Sequence, residues 1–249
     1  MKDVPGDYYR RLHDVDSRHW WHRGMRDIAR AMLAGRLEGG ALLDAGCGTG
    51  GFLAWAASLG TFERLCGVDI SAEAIEIARE VVPAADLRVS PLDRLPFGDG
   101  EFDLVVSLDV LQHVPEGALA ASLLELRRVL EPGGALLVRT NGDRRARRER
   151  DDWRAYDAAT LAADLRRAGL AVRRVTYANS LLSAAAAARG RAPHAPTTER
   201  TGIPTQDAGL TAAVGSALLG LEARLLASPR VRLPFGHTLF ALAEREVGP

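Results

Sequence analysis

The chain has 249 residues, of which 47% are hydrophobic and 26% charged, enough apolar surface for one large core and too much for a disordered segment. Basic and acidic residues balance at 32 each, so the standing positive field of a nucleic-acid binder is missing and nucleic acid is not the default partner. Two cysteines, Cys47 and Cys66, exclude a disulfide framework and show no metal-ligand spacing with the six histidines, so no metal is expected. Reduced thiols, an N-terminus without an apolar signal core and apolar runs far short of a bilayer span predict a cytoplasmic protein, neither exported nor membrane-spanning.

Residues 8 to 37 read as helical, with Tyr8, Tyr9, Leu12, Trp20, Trp21, Met25, Ile28, Met32 and Leu33 set between arginines and acids, an amphipathic prelude to the sheet. From Ala41 short apolar runs take over: Ala41 to Leu43, Leu65 to Val68, Leu87 to Val89, Leu104 to Val106, Ala135 to Val138 and Leu170 to Val175. Helix candidates lie between them at 51 to 59, 72 to 80, 116 to 130 and 158 to 168. Strands fed by crossover helices predict a parallel sheet covered on both faces, an α/β doubly wound class. Pro132-Gly133-Gly134 is expected to end the helix before the fifth strand. After Val175 two Ala/Leu-rich helical stretches, 180 to 189 and 208 to 227, flank a Pro/Thr/Gly-rich loop from Arg191 to Asp207. A last strand, His237 to Glu244, follows. The expected organisation is an N-terminal helical cap (1–37), a core (38–178 and 231–249) and a helical insertion (179–230).

The segment Leu42-Leu43-Asp44-Ala45-Gly46-Cys47-Gly48-Thr49-Gly50-Gly51-Phe52-Leu53 puts a strand, a glycine-rich turn and a helix start in succession. Glycine suits a turn whose backbone a ligand approaches closely, and the free amides of the helix start favour an anionic group. Gly46, Gly48 and Gly51 also satisfy G-x-G-x-x-G, so the loop alone is compatible with a dinucleotide pyrophosphate. The second strand ends at Gly67-Val68-Asp69-Ile70-Ser71. A carboxylate at that edge can accept both ribose hydroxyls of a nucleoside, or merely precede an N-cap at Ser71.

The succession LLDAGCGTGGFL, GVDIS, LPFGDGEFDLVVSLDVLQHV and RVLEPGGALLVRT resembles the class I S-adenosylmethionine-dependent methyltransferases, of the small-molecule, quinone-biosynthesis-like kind (the methyltransferase type 11 group). The resemblance implies a Rossmann-like, seven-stranded, mostly parallel sheet whose last strand is antiparallel. It implies S-adenosyl-L-methionine as cofactor, with S-adenosyl-L-homocysteine as product. On this resemblance Asp44, Gly46, Cys47, Gly48 and Gly50 surround the methionine end, Asp69 holds the ribose and Ile70 packs on the adenine. Leu92 and Asp93 lie near the adenine amine, and Ser107 and Leu108 lie under the cofactor beside the transferring methyl. The segment His19-Trp20-Trp21-His22-Arg23-Gly24-Met25-Arg26 is similar to a tryptophan-arginine helix that precedes the core in some bacterial members.

The methyl group of a sulfonium is already activated, so transfer needs mainly in-line alignment and exclusion of water, with alignment supplying roughly 7–11 kcal/mol of the barrier. A base matters only for a hydroxyl or an acidic carbon. His113, in Asp109-Val110-Leu111-Gln112-His113-Val114-Pro115, is the candidate catalytic base, read against a structural histidine that bonds its own turn. Trp21 suits a sulfonium and Arg26 a methionine carboxylate, read against a helix that packs by its tryptophans. Tyr8, His22 and His113 are the candidate acceptor contacts. Arg144, Arg145, Arg147, Arg148 and Arg150 form a run diluted by acids, better read as a solvated loop than as an RNA site. The expected activity is methyl transfer to a small organic acceptor, such as a secondary metabolite, lipid or quinone-like molecule, by a monomer or homodimer. An RNA methyltransferase, a catalytically silent cofactor-binding partner and a dinucleotide oxidoreductase are the competing readings.

Overall fold

The alternation of short apolar runs with helical segments beyond Ala41 builds one seven-stranded sheet. The computed structural model describes residues 8–142, 154, 156–188 and 209–247. The strands are β1 (Ala41–Ala45), β2 (Arg64–Asp69), β3 (Asp86–Val89), β4 (Phe102–Leu108), β5 (Leu130–Asn141), β6 (Ala171–Ala178) and β7 (Thr238–Glu244). Their order is β3-β2-β1-β4-β5-β7-β6. Strand β7 runs antiparallel to both of its neighbours, Leu137 facing Leu242 on one side and Arg174 facing Leu242 on the other. Strand order reverses between β1 and β4, so the loops leaving those two strands diverge and open a crevice at the carboxyl edge, where ligands bind in sheets of this kind.

Helices α1 (Tyr8–Arg18) and α2 (Trp20–Met32) precede the sheet, and α3 (Gly51–Leu59), α4 (Ala72–Val81), α5 (Glu116–Val129) and α6 (Ala158–Arg167) connect its strands. Helices α7 (Ser180–Ala188) and α8 (Leu210–Leu226) lie between β6 and β7. Side chains alternate across each strand with period two. Leu43, Ala45, Leu136 and Val138 pack with Leu123, Leu126, Leu161 and Leu165 of α5 and α6. Leu42, Ala135 and Leu137 pack on the other face with Met25, Ile28, Leu53 and Ile75 of α2, α3 and α4. The same alternation turns Asp44 of β1 and Arg139 of β5 toward the α2/α3 face, at the carboxyl edge.

Three sequence expectations are corrected. The helical stretch 8 to 37 is two helices: His19 adopts an extended backbone (φ −71°, ψ 133°) and its Nδ1 accepts from the Trp21 amide at 3.2 Å, so it stops α1 and caps α2. Chain from Leu33 to Gly40 is not helical. Pro132-Gly133-Gly134 does not end a helix, because α5 already stops at Val129 and β5 begins at Leu130. Gly133, at φ +90°, instead bends the strand and donates its amide to the Arg245 carbonyl at 2.7 Å. The fifth and sixth strands also extend further than their apolar runs.

Helices α2 and α8 lie against each other through reciprocal notches. A methyl group on Gly24 would overlap Leu219, and one on Gly215 would stand 2.6 Å from the Trp20 ring. Fully buried Glu222 of α8 accepts the Asn179 and Leu181 amides at 2.7 and 2.6 Å, serving the start of α7. Arg174 donates to the Leu226 and Val231 carbonyls at 2.8 and 2.6 Å. The late helices are thus tied to α2 and to β6. No described helix is long and apolar enough to cross a membrane.

Candidate cofactor and active site

The turn after β1 takes positive φ at Gly46 (+94°), Gly48 (+52°) and Gly50 (+83°), angles that a Cβ disfavours. A Cβ at Gly46 would also overlap Val110 from the β4 turn, so the loops leaving β1 and β4 are in contact. Helix α3 starts at Gly51 with no side-chain cap. Asp69 serves this turn directly: its Oδ2 accepts the Gly48 amide and its Oδ1 the Ser71 amide, both at 2.9 Å. Ser71 in turn caps α4 through the Ala74 amide at 3.2 Å. Asp69 therefore supports the turn and stands beside an N-cap at once, and each of its oxygens keeps a further lone pair for a ligand hydroxyl.

Beside Asp69 the edge is apolar and open. Ile70 is 71% exposed and Val89, which pairs with Asp69, is 51% exposed. Covering a side chain of this size is worth about 1.5–3 kcal/mol. Leu92 is buried and Asp93 exposed just beyond β3. Ser107 is fully buried and donates to the Ala45 carbonyl at 3.0 Å, joining the ends of β1 and β4, while Leu108 is half-buried against the α2 face.

Asp44 is 2% exposed and its Oδ1 has no hydrogen-bond partner. Burial, and secondarily the Asp69 charge, push its pKa up to about 8, against the pull of Arg139. Cys47 is buried, and burial pushes its thiol up as well, so this sulfur is neutral and inert. Its weak bond to the Gly48 carbonyl, at 3.8 Å, makes it a packing element of the turn.

Helices α1 and α2 close over this edge with a polar cluster. Asp16 Oδ1 lies 2.7 Å from His22 Nδ1, and Asp16 Oδ2 lies 3.5 Å from Arg26 Nη1. Both Arg26 Nη groups donate to the Asp16 carbonyl at 3.2 Å. Arg26 thus meets the end of α1 first. Burial alone would raise the Asp16 carboxyl, but the His22 hydrogen bond and the charges of His22, Arg26 and Arg139 outweigh it and hold it below the ordinary value.

Arg139, 8% exposed, sends Nε and Nη2 to Asp109 Oδ2 at 3.0 and 2.6 Å, and its guanidinium carbon lies 5.4 Å from the Trp21 ring centre. Asp109 sits at φ +60°, which is uncommon for a residue with a side chain. Its amide donates to the Arg139 carbonyl at 2.8 Å, so Arg139 holds Asp109 by main chain and side chain alike. His113 closes the 3-10 turn Leu111–His113 that follows. It meets solvent on one side, while protein crowding lowers its pKa below the ordinary histidine value against the opposing charge of Asp109. A neutral imidazole at pH 7 follows, the form that accepts a proton.

The crevice therefore brings together Trp21, His22, Arg26, Asp44, the glycine turn, Asp69, Ile70, Ser107 and Leu108, with His113 on the adjoining turn. Tyr8 opens α1, but its side chain lies outside the described residues, as does the run Arg144 to Arg150. Asp16, Asp109 and Arg139 are additions that sequence reasoning missed. A signal for Arg139 existed: an arginine in phase with Ala135 and Leu137 on a buried strand needs a partner. Among the described residues no group of three or more His, Cys, Asp or Glu is arranged for a metal.

Residues 43–138 match the family model described as a methyltransferase domain. The chain is 38% identical over 103 residues to the 2-methyl-6-phytyl-1,4-hydroquinone methyltransferase of Synechocystis, covering 40% of this chain and 31% of that protein. It is 36% identical over 116 residues to the ubiquinone biosynthesis O-methyltransferase of Thiobacillus denitrificans, covering 45% and 47%. The matches span about half or less of these curated relatives. A solved complex of the Haloferax volcanii Trm112 methyltransferase activator with a methyltransferase shares the fold, with a TM-score of 0.65 at 22% identity over 97% of this chain and 96% of that one.

Proposed function

We propose that this chain, whose residues 43–138 match the methyltransferase-domain family model, transfers a methyl group from S-adenosylmethionine to a small organic acceptor. The observation that carries the reading is Asp44: a carboxylate 2% exposed, with one oxygen unpartnered, at the foot of a glycine turn. A buried polar atom without a partner is costly unless a ligand completes it, and an ammonium group is what a carboxylate in that position lacks. The exposed Ile70 beside Asp69 supports the same reading, since a purine face would cover it and a ribose would meet the carboxylate.

When bound, S-adenosylmethionine supplies a methyl group already activated by its sulfonium. The chain supplies position and dryness. Asp69 would hold the ribose while fixing Gly48, Ile70 would lie under the adenine, and Asp44 would meet the amino-acid end. Ser107 and Leu108 form the floor where β1 and β4 part. Trp21, with Arg139 over its ring at 5.4 Å, walls the crevice from α2. His113, neutral at pH 7, is placed to take a proton from a hydroxyl acceptor on the β4 side, and a neutral amine would not require it. The quinone-pathway relatives support an acceptor of small-molecule size.

Calorimetry with S-adenosylmethionine and S-adenosylhomocysteine, followed by measurement of S-adenosylhomocysteine formed with hydroquinone, phenol, carboxylic acid and amine acceptors, tests the proposal. Donor binding with turnover on a small acceptor is the expected result. Turnover only on unmodified RNA would replace the acceptor class, binding without turnover on any acceptor would leave a cofactor-binding partner, and no binding of either ligand would overturn the reading.

A further inference from the structure

Asp16 lies outside the matched domain and has no role in the reading above, yet its carboxylate stands over the glycine turn. A methyl group on Gly51, the first residue of α3, would overlap Asp16 Oδ2. The carboxylate is within electrostatic reach of Asp44. Its contacts leave one oxygen available: Oδ1 belongs to His22 Nδ1 at 2.7 Å, whereas Oδ2 meets Arg26 only at 3.5 Å, beyond good hydrogen-bond distance. No hydrogen bond joins Asp16 to the α3 amides among those of the described residues, so it is not serving as the missing cap of that helix. The unpartnered Oδ1 of Asp44, a side chain only 2% exposed, is a second observation that points to a ligand at this turn. Around the crevice the carboxylates are Asp16, Asp44, Asp69 and Asp109 and the basic groups Arg26, Arg139 and His22; Arg139 is committed to Asp109 and His22 to Asp16 Oδ1.

We infer that Asp16 is a donor-binding residue: delivered by α1 over the glycine turn, its Oδ2 shares with Asp44 the α-ammonium group of the methyl donor. His22 and Arg26 are positioning residues that hold Asp16 by side chain and main chain. The α1–α2 pair then forms part of the cofactor pocket itself, in addition to covering the acceptor space. The inference rests on the proposed methyl-donor reading and can fail without it.

The test compares two ligands on the full chain. S-adenosylhomocysteine carries the ammonium; 5′-methylthioadenosine keeps the adenosine and sulfur but has no amino-acid end. Asp16→Asn should weaken S-adenosylhomocysteine about ten-fold or more, the scale of one lost charged hydrogen bond, and leave methylthioadenosine within about two-fold. Asp16→Glu, which keeps the charge on a longer arm, should recover part of the loss and serves if Asp16→Asn does not fold. Equal weakening of both ligands would mean that Asp16 only shapes the fold, and unchanged S-adenosylhomocysteine affinity would remove it from the site; either overturns the inference while the donor reading stands. A wild-type chain that binds neither ligand would overturn both.

Discussion

On the proposed reading, in which Asp44 meets the donor's ammonium group, donor binding is a proton-linked event. Its pKa in the free protein is about 8, so at pH 7 about nine in ten molecules carry a proton there. Pairing with an ammonium requires the ionised form, and the proton must leave on binding. The apparent dissociation constant is then the intrinsic one multiplied by 1 + 10^(8 − pH), which falls by nearly two log units, roughly 75-fold, between pH 5.5 and 7.5. That window lies below the titration of an α-amino group at about 7.7–8.0, so the ligand keeps its own charge. The groups facing Asp44 are Asp69 from β2, Arg139 from β5 and Asp16 from α1; Asp16, held below the ordinary carboxylate value, stays ionised through the window. Calorimetry of S-adenosylhomocysteine across this range, in buffers of different ionisation enthalpy, should show close to one proton released near pH 7. Asp44→Asn should abolish both the slope and the proton release. A dissociation constant that changes less than about three-fold, or a slope that survives in Asp44→Asn, would mean that Asp44 does not carry this proton linkage. The linkage has a stability counterpart. A carboxyl whose pKa is raised by folding contributes stability that is fully present below its unfolded value of 3.8 and is lost as pH rises through about 8. Asp44→Asn should accordingly gain thermal stability relative to wild type as pH rises toward 9, read by melting curves.

Asp69→Asn should weaken S-adenosylhomocysteine and methylthioadenosine alike, each by roughly 10- to 150-fold, because both carry the ribose and a charged hydrogen bond is worth about 1.5–3 kcal/mol; a loss confined to one ligand, seen by calorimetry, would contradict the ribose role. With a hydroxyl acceptor, His113→Ala should lower kcat well beyond ten-fold while donor affinity stays within two-fold, and the wild-type rate should fall on acidification below pH 6.5 as the imidazole takes up a proton. Retained turnover would return His113 to a structural role. Gly215→Ala places a methyl 2.6 Å from Trp20 and should cost about 1–3 kcal/mol, which for a chain of this size lowers Tm by roughly 2–12 °C; an unchanged melting curve would mean that α8 does not pack on α2 as described.

The sheet was legible because its signals are local. A strand, three glycines and a helix start in immediate sequence leave few alternatives, and an aspartate ending the next strand falls beside them in any parallel pairing. The break at His19 was not legible from periodicity, because an apolar pattern runs through both helices and only the extended backbone at one residue interrupts it. Pro132-Gly133-Gly134 misled because the same residues suit a helix stop and a bent strand start; which one they serve depends on the pairing of β5 with β4 and β7. The polar half of the crevice was the least readable part. Asp16, Asp109 and Arg139 come from three separate stretches and meet only when α1 and α2 fold over the carboxyl edge. Asp109 in particular looks like an ordinary acid after a strand until its positive φ and double attachment to Arg139 are seen.

The interlocked glycines of α2 and α8 bear on how such a protein can be recombined. Gly24 accommodates Leu219 and Gly215 accommodates Trp20, so the leading helices and the late ones are matched halves of a single piece, although strands β1 to β6 are threaded between them. A chimera that borrows only the leading helices from a relative would set a foreign side chain against one notch and leave the other unfilled. Transplantation of these helices therefore requires both halves to travel together, and any donor of the leading half must also seat its α1 over Gly51, which leaves no room for a side chain under Asp16.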